Sequence, residues 1–377
     1  MFDNISGIAS QSGTSDIAPL LLERGRQISY GAGARALVHG KIVLVTGAGG
    51  SIGSEVVRQV RTLQPAAVYL LDHDEGALHS LQLELHGHGL LTDPFVLLAD
   101  IRDADTISRL FADIRPDIVF HAAAHKHLPL LERFPAEGVK ANIGGTRNVV
   151  AAAAATGAEL VVNISTDKAA HPTSVLGATK RVAEDIAACY ATSRTRVASV
   201  RFGNVLGSRG SLLHSLKWQV SNARDITVTD PAATRFFMTI PEAASLVIEA
   251  AVLAGGGETY VLDMGRPIRI LDLVRRYLDL AEAENRVVFT GLRNGEKLHE
   301  QLVDSSQEAV TATTHPRITR IDRRTSDRVT FLDAVDELCK AVSSLSSAEL
   351  RGMLWMLADP QPVSTDTQPG PLLESVA

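Results

Sequence analysis

A stretch of sixteen residues, S-T-D-K-A-A-H-P-T-S-V-L-G-A-T-K, carries side chains that can donate or accept protons at short spacing. It runs from Ser165 to Lys180, and its second to fourth residues are a hydroxyl, a carboxylate and an amine. The apolar residues before it predict a buried strand, which would place this triplet at the strand's carboxyl end. Because ligands of open α/β sheets bind at that edge, the stretch is the candidate reaction centre.

A helix is expected to begin near Ser174. Within it, Leu176 and Lys180 lie four residues apart and therefore share one face. If the sheet is assigned correctly, Lys180 points into the crevice, although a solvated surface is the more common environment of a lysine. Leu176 offers no group that exchanges a proton.

The elements that must hold this stretch alternate between strands and helices. Helices are predicted at Ser54–Leu63 and Gly144–Ala155. Short apolar runs rich in β-branched residues predict strands at 42–47, Ala67–Leu71, Phe95–Leu98, Ile118–His121, Leu160–Ile164 and Val197–Arg201. This order predicts an α/β fold, a Rossmann-type doubly wound parallel sheet with right-handed crossovers.

The pattern weakens after Asn204, which predicts a smaller C-terminal lobe. Its predicted elements are a strand near Thr227, a helix at Pro241–Leu253 and a strand near Tyr260. The predicted organisation is an N-terminal arm (1–38, loose over its first twenty residues), a first α/β domain (39–203), a second lobe (204–357) and a disordered tail (358–377).

A glycine-rich loop, T-G-A-G-G-S-I-G, follows the first predicted strand and opens a helix. Its glycines allow a tight turn and close approach to a pyrophosphate, which the helix N-terminus also favours. Asp72 ends the next strand, where a carboxylate binds ribose hydroxyls and repels a 2′-phosphate, so NAD is favoured over NADP. Asp74 and Glu75 follow closely and could also bind the ribose. The predicted cofactor residues of this loop and strand are Gly47, Gly50, Ser51, Ile52, Gly53 and Asp72.

Two further loops are cofactor candidates. Asp100 and Ile101 follow a strand and are placed for the adenine, although an ordinary strand-to-helix loop has the same appearance. Ala122 and Ala123 follow another strand. The histidines near them, at 121, 125 and 127, invite a metal assignment, which we reject because no cysteine completes a site at that spacing.

Composition excludes several classes of protein. The net charge of −6 argues against nucleic acid as a partner, because phosphate binding needs a basic surface. Two cysteines exclude a disulfide framework and fit a reducing compartment. No apolar run reaches the length of a membrane span, and no signal peptide is recognised. We expect a cytoplasmic protein.

Several motifs together resemble the extended short-chain dehydrogenase/reductase superfamily and, within it, the polysaccharide-biosynthesis type of nucleotide-sugar 4,6-dehydratase. Many members carry N-terminal membrane helices, whereas this sequence resembles the soluble, short branch. The similar segments, between about residues 24 and 305, are L-V-T-G-A-G-G-S-I-G-S-E, H-A-A-A-H-K-H-L-P-L-L-E, N-I-G-G-T-R-N-V, S-T-D-K-A-A-H-P-T-S-V-L-G-A-T-K-R-V-A-E, V-R-F-G-N-V-L-G-S-R-G-S, T-R-F-F-M-T-I-P-E-A and G-L-R-N-G-E-K-L-H-E.

The resemblance implies roles for the catalytic residues. Thr166 would bind the sugar 4-oxygen, Asp167 would protonate the leaving 6-hydroxyl, and Lys180 would bind the nicotinamide ribose. Lys168 would be the base at C5, provided that burial and neighbouring cations lower its pKa toward neutrality. Leu176 stands where most of the superfamily has a tyrosine that accepts the 4-hydroxyl proton, so Lys168, or a water relayed through Thr166, is expected to serve O4.

The resemblance also implies that residues 39–203 form the NAD-binding Rossmann domain and that residues 204–357 are mainly a substrate-binding lobe for the nucleotide sugar. It further implies a substrate, UDP-N-acetylglucosamine, and a homodimer or higher homo-oligomer. Arginines suit the diphosphate because their planar guanidinium forms paired hydrogen bonds. Glu296 would hold the uridine ribose. The predicted substrate-binding residues are Lys126, Asn204, Arg209, Ser211, Arg235, Arg293 and Glu296.

The sequence is compatible with functions besides this dehydratase. A UDP-sugar 4-epimerase shares the C4 oxidation but needs no elimination acid, so the Thr-Asp-Lys triplet favours a dehydratase. A 5,6-dehydratase, and a non-catalytic protein that binds NAD or a nucleotide sugar, also fit the motifs.

Overall fold

The structure, a computed structural model, describes residues 14–22, 28, 30–323 and 327–358. Its strands are β1 (Ile42–Thr46), β2 (Ala67–Asp72), β3 (Val96–Leu98), β4 (Ile118–His121), β5 (Leu160–Ile164), β6 (Arg196–Arg201), β7 (Asn204–Leu206), β8 (Ile226–Val228), β9 (Thr234–Arg235), β10 (Phe237–Thr239), β11 (Glu258–Leu262), β12 (Ile268–Arg269), β13 (Val287–Phe289), β14 (Glu308–Ala312) and β15 (Ile318–Arg323).

One large sheet dominates the described part of the chain, in the order β14-β15-β11-β6-β5-β4-β1-β2-β3. Strands β1 to β6 and β11 pair in parallel, and β15 and β14 add an antiparallel edge. All six strands predicted for the first domain exist, and their order 3-2-1-4-5-6 is that of the Rossmann fold. The predicted fold class is confirmed.

Some helices cover both faces of this sheet, and others belong to the smaller lobe. They are Thr14–Leu21, Ala32–Val38, Ser51–Arg61, Glu75–His86, Ala104–Ile114, Leu128–Arg133, Pro135–Gly138, Thr146–Thr156, Val175–Cys189, Leu212–Ser221, Ile240–Leu253, Ile270–Leu280, Arg328–Ala341 and Ser347–Ala358, with a π-helix at Val139–Gly145 and a 3₁₀ turn at Asp167–Ala169.

Two apolar cores lie on opposite faces of the sheet because side chains alternate along each strand. In β1, Val43 and Val45 belong to one core and Leu44 to the other. The first core is closed by helices that include Ser51–Arg61 and Ile240–Leu253. The second is closed by helices that include Val175–Cys189 and the C-terminal pair.

The smaller lobe has its own core around the helices Leu212–Ser221 and Ile270–Leu280. Two elements predicted for it lie elsewhere. The strand near Tyr260 is β11, which extends the main sheet beside β6. The helix Ile240–Leu253 packs against that sheet too. Both runs are mainly apolar, which is compatible with either lobe.

The N-terminal arm also differs from the prediction of a loose segment. Thr14–Leu21 is a helix, and Ile17 and Leu21 are buried in the core of the smaller lobe. The predicted disordered tail lies outside the described residues beyond Ala358. Among the described residues, no helix is both long enough and apolar enough to cross a membrane.

Candidate active site

The Thr-Asp-Lys triplet lies where the pairing of β5 and β6 continues beyond the strands. Ser165 N donates to Val200 O at 2.7 Å, and Asp167 N donates to Phe202 O at 3.0 Å. The chain then turns through the 3₁₀ segment Asp167–Ala169. The triplet is therefore fixed at the carboxyl edge of the sheet, as its sequence predicted.

Asp167 is completely buried at this edge. Its Oδ1 accepts hydrogen bonds from Thr166 Oγ1 and Lys168 Nζ, both at 2.9 Å. Its Oδ2 has no hydrogen-bond partner among the described residues. A Cβ at position 203 would lie 3.0 Å from that oxygen, so Gly203 is needed for close packing over the carboxylate.

Lys168 reaches two carboxylates and faces the cleft with 20% of its side chain exposed. Its Nζ lies 2.9 Å from Asp167 Oδ1 and 3.4 Å from Glu300 Oε1. Burial alone would lower the pKa of Lys168, but Asp167 and Glu300 together outweigh it and raise that pKa. The expectation that the pKa falls toward neutrality is therefore wrong, because the neighbouring charges are mainly anionic.

The following helix, Val175–Cys189, begins as predicted. The Ser174 side chain accepts from Gly177 N at 3.2 Å, and Glu132 Oε1 accepts from Val175 N at 2.7 Å. Leu176 is buried in an apolar core. Lys180 is also buried, and burial lowers its pKa to about 8, so a solvated surface position is excluded for this lysine.

The glycine loop has the shape that a dinucleotide needs. A Cβ on Gly53 would lie 2.0 Å from Gly47 O, and Gly47 itself has φ +68° with Ala123 N 2.6 Å from its Cβ position. Only backbone fits in this turn, which leads directly into the helix Ser51–Arg61. Ala122 and Ala123 are thereby brought against the loop.

Asp72 is the best placed of the three acidic candidates. It is buried, and its Oδ2 accepts from Gly49 N at 2.9 Å. Asp74 instead caps the helix Glu75–His86 through Ala77 N. Of the adenine candidates, Ile101 is buried in the core, and Asp100 pairs with Arg102 at 2.6 Å.

The histidines do not converge. His121 is buried between two hydroxyls, with Nδ1 2.7 Å from Thr46 Oγ1 and Nε2 3.0 Å from Thr146 Oγ1. Burial lowers its pKa to about 3, so the ring is neutral. In the described part of the chain, no group of three or more His, Cys, Asp or Glu residues is arranged to hold a metal ion.

Basic side chains lie near the glycine loop. Lys126 Nζ lies 3.4 Å from Ser208 Oγ, and burial, assisted by Arg209, lowers the pKa of Lys126. Arg209 N donates to Ser51 Oγ at 2.9 Å, which ties this region to the glycine loop. Ser211 precedes the helix Leu212–Ser221.

The remaining substrate candidates belong to the smaller lobe. Arg235 is buried, and its Nη1 donates to Leu298 O at 3.1 Å. Arg293 pairs with Glu296 at 2.5 Å. Burial acts to raise the pKa of Glu296, but the hydrogen bonds and charge of Arg293, with a smaller contribution from the charge of Arg235, lower it. Asn204 lies in β7, where its backbone N donates to Phe236 O at 2.9 Å. Arg235 thus approaches the triplet, with its Nε 3.9 Å from Glu300 Oε1, whereas Arg209 contacts the glycine loop.

Three residues were missed at the sequence level. Gly49 would clash with Ala77 at 2.5 Å if it carried a Cβ, and Gly203 covers Asp167. Glu300 reaches Lys168 from a distant part of the chain, so no spacing rule connects the two. The signal available for Glu300 was its place at the end of the conspicuous run G-L-R-N-G-E-K-L-H-E.

The chain is similar to known proteins over most of its length. The profile of the family described as polysaccharide biosynthesis protein matches residues 43–323. The probable polysaccharide biosynthesis protein EpsC of Bacillus subtilis is 49% identical over 275 residues, which are 72% of this chain and 46% of EpsC. The chain therefore spans about half the length of that relative. A UDP-glucose 4-epimerase of Rickettsia bellii is 30% identical over 71% of this chain and 79% of its own.

Solved structures show the same fold. Pen from Bacillus thuringiensis superposes with a TM-score of 0.70 at 34% identity and covers 78% of this chain and 92% of Pen. DesIV from Streptomyces venezuelae, a dTDP-glucose 4,6-dehydratase with NAD and TYD bound, has a TM-score of 0.61 at 22% identity, with 70% and 85% covered. The second likeness concerns the fold alone.

Proposed function

The chain belongs to the polysaccharide biosynthesis protein family of the extended short-chain dehydrogenase/reductase superfamily, and we propose that it is an NAD-dependent nucleotide-sugar 4,6-dehydratase. The observation that carries this proposal is the buried Asp167 joined to both Thr166 and Lys168 at 2.9 Å. An epimerase needs no such acid. The substrate we propose is UDP-N-acetylglucosamine, and the product is a UDP-4-keto-6-deoxy sugar.

The chain's own residues fit NAD. The loop around Gly47, Gly50 and Gly53 would hold the pyrophosphate, Asp72 the adenosine ribose, and Lys180 the nicotinamide ribose. When bound, NAD supplies the hydride acceptor for C4 and the hydride donor for C6. DesIV, with NAD bound, has the same fold. Because no net oxidant is consumed, the cofactor would remain bound between turnovers.

Proton movements follow from the hydrogen bonds of the triplet. Asp167 accepts hydrogen bonds from Thr166 and Lys168, and in the proposed route it receives the proton that it later gives to the leaving 6-hydroxyl. The Thr166 hydroxyl, which donates to Asp167 Oδ1, can pass the 4-hydroxyl proton to that carboxylate as C4 is oxidised. Asp167 then holds the proton that the leaving 6-hydroxyl needs. This route needs no tyrosine at Leu176.

The substrate would lie across the cleft between the two lobes. Lys126, Arg209 and Arg235 would face the diphosphate, with Arg293 beside them. Glu296 would accept the hydroxyls of the uridine ribose, and Asn204 and Ser211 would contact the nucleotide diphosphate. The cytoplasmic location and the homodimer stay predictions, the second of which light scattering of the purified protein tests.

The decisive experiment is incubation of purified protein with UDP-N-acetylglucosamine in D₂O without added NAD. A 4-keto-6-deoxy product with deuterium at C5, identified by mass spectrometry and NMR, is expected. An epimerase would instead give UDP-N-acetylgalactosamine without loss of water. A 5,6-dehydratase would give an unsaturated sugar. Substrate that binds and stays unchanged would contradict the proposed activity on this sugar.

A further inference from the structure

Lys168 is held between two carboxylates, one from each part of the molecule. Asp167 lies 2.9 Å away on the main sheet, and Glu300 lies 3.4 Å away on the smaller lobe. Because these charges raise the pKa of Lys168, it is an ammonium at neutral pH. An ammonium has no lone pair and cannot remove a proton from carbon until it has given one up.

Of the two carboxylates beside Lys168, only Glu300 is available to take a proton from the Lys168 ammonium. In the proposed function, Asp167 receives the proton of the sugar 4-hydroxyl through Thr166, so it is already occupied when C5 is deprotonated. Glu300 is 7% exposed, and its Oε2 has no hydrogen-bond partner among the described residues. A buried carboxylate oxygen without a partner calls for an explanation. Here it is an oxygen that can be protonated while Oε1 still faces Lys168.

The backbone around Glu300 is held firmly. Thr234 N donates to Leu298 O at 3.0 Å, and Thr234 Oγ1 lies 2.9 Å from His299 Nδ1. Arg235 donates to the same Leu298 carbonyl, and its Nε lies 3.9 Å from Glu300 Oε1. Glu300 is therefore positioned by β9 of the smaller lobe, whereas Lys168 belongs to the 3₁₀ segment that follows β5.

We propose that Glu300 is a positioning and proton-accepting residue that acts through Lys168, so that the base at C5 is a lysine–glutamate pair assembled across the two lobes. This inference rests on the proposed dehydratase function. It adds a residue to the reaction centre and makes base formation depend on how the Glu300 segment sits against the main sheet.

The proton transfers balance within the pair. One N–H bond of the Lys168 ammonium breaks and its proton moves to the Glu300 carboxylate. The freed amine takes the C5 proton, the C5–H electron pair becomes the C5=C6 bond, and the C6–O bond breaks with the proton of Asp167 to release water. After hydride has returned to C6, Lys168 returns a proton to C5 and recovers one from Glu300.

The test compares Glu300→Gln with Glu249→Gln. Glu249 is also 7% exposed and accepts a backbone hydrogen bond, but it lies on the helix Ile240–Leu253, away from the cleft. Glu300→Gln is expected to lower kcat and C5 deuterium exchange by about 10²–10⁴-fold with little change in KM. C4 oxidation, seen as near-ultraviolet absorbance of reduced nicotinamide, should still occur. Glu249→Gln should behave as wild type.

The pH profile separates a proton acceptor from a merely structural residue. Without Glu300, Lys168 must lose its proton to solvent, so the residual rate should rise by about tenfold per pH unit over the alkaline range. Glu300→Asp, which keeps a carboxylate, should recover part of the rate. Wild-type kcat in Glu300→Gln, or a loss of C4 oxidation and C5 exchange together without recovery at high pH, would overturn the inference.

A measurement without substrate tests the Glu300–Lys168 pair itself. Acetic anhydride modifies amines but not ammonium groups, and peptide mass spectrometry follows modification of Lys168 against pH in the NAD-containing protein. The modification curve should move to lower pH in Glu300→Gln and stay in place in Glu249→Gln; an unmoved curve would contradict the pairing. Failure of the proposed function looks different, since wild-type protein would then form no 4-keto-6-deoxy sugar from UDP-N-acetylglucosamine, and the inference would fall with it.

Discussion

Two buried charge clusters lie side by side and differ in how completely their carboxylates are satisfied. The lysine cluster is formed by Thr166, Asp167, Lys168 and Glu300. The arginine cluster is formed by Ser165, Arg181, Glu184, Arg201 and Glu308.

In the arginine cluster every carboxylate oxygen has a donor. Arg201 donates to both oxygens of Glu184 at 2.7 and 2.6 Å and to both oxygens of Glu308 at 2.9 and 2.7 Å. Ser165 donates to Glu184 at 2.6 Å, and Arg181 donates to Glu308 at 2.5 Å. In the lysine cluster, one oxygen of Asp167 and one of Glu300 lack donors among the described residues.

This difference indicates that the arginine cluster stabilises the fold and that the lysine cluster takes part in the reaction. A network in which every carboxylate oxygen has a donor leaves no unpartnered oxygen for a proton, and it serves to hold elements together. An incompletely satisfied network keeps acceptor sites for protons, at a cost in stability that the fold must absorb. Substitutions in the lysine cluster should therefore change turnover, and substitutions in the arginine cluster should change the free energy of unfolding.

The largest expected effect is on turnover. Asp167→Asn removes the group that carries a proton from O4 to O6, so the rate of product formation should fall by about 10²–10⁴-fold. The midpoint of thermal unfolding should change little, because the variant also removes an incompletely satisfied buried charge. If Asp167→Asn unfolded at a much lower temperature but retained turnover, the lysine cluster would be structural and the comparison would be wrong.

The matching effect on stability is expected for Arg201→Met. It leaves Glu184 and Glu308 as buried carboxylates without their main partner, so the free energy of unfolding should fall by about 3–5 kcal/mol. Urea unfolding monitored by circular dichroism measures it. Arg320→Met is the control, because Arg320 pairs with Asp322 where solvent screens both charges, so its loss should leave the free energy of unfolding nearly unchanged.

The hydroxyls of the adjacent residues Thr166 and Ser165 test the comparison further, because Thr166 belongs to the lysine cluster and Ser165 to the arginine cluster. Thr166→Val should slow C4 oxidation by about 10²-fold and leave stability nearly unchanged, with recovery in Thr166→Ser. Ser165→Ala should lower the free energy of unfolding by about 1.5–3 kcal/mol and leave turnover per folded molecule unchanged. Equal effects of the two variants on both quantities would mean that the clusters act as one.

The smallest expected effect is the pH dependence contributed by Lys180. Its pKa is lowered to about 8 in the folded protein, whereas the unfolded chain keeps the ordinary lysine value. Between those two pKa values the unfolded chain holds more protons, so stability should rise with pH across that window. The stability advantage of Lys180→Met over wild type should shrink from pH 8 upward. A constant difference would show that Lys180 is not desolvated.

Local patterns in the sequence were sufficient for the strands, the glycine loop and the triplet. Short continuous apolar runs predicted β1 to β6, because strands buried on both faces of a parallel sheet require such runs. Ser174 predicted the start of the helix that carries Lys180, because a side-chain cap acts within one turn. The same apolar runs could not say that β11 joins the main sheet, since pairing partners are chosen by tertiary packing.

The protonation state of Lys168 depends on a contact with a residue that is distant in sequence. Its adjacent Asp167 was visible in the sequence, but Glu300 comes from a different lobe, and the sum of their charges against burial decides whether Lys168 is an amine or an ammonium. Sequence spacing identifies which side chains can exchange protons. Their protonation states follow from burial and from charges within a few ångströms, and long-range folding alone brings those charges together.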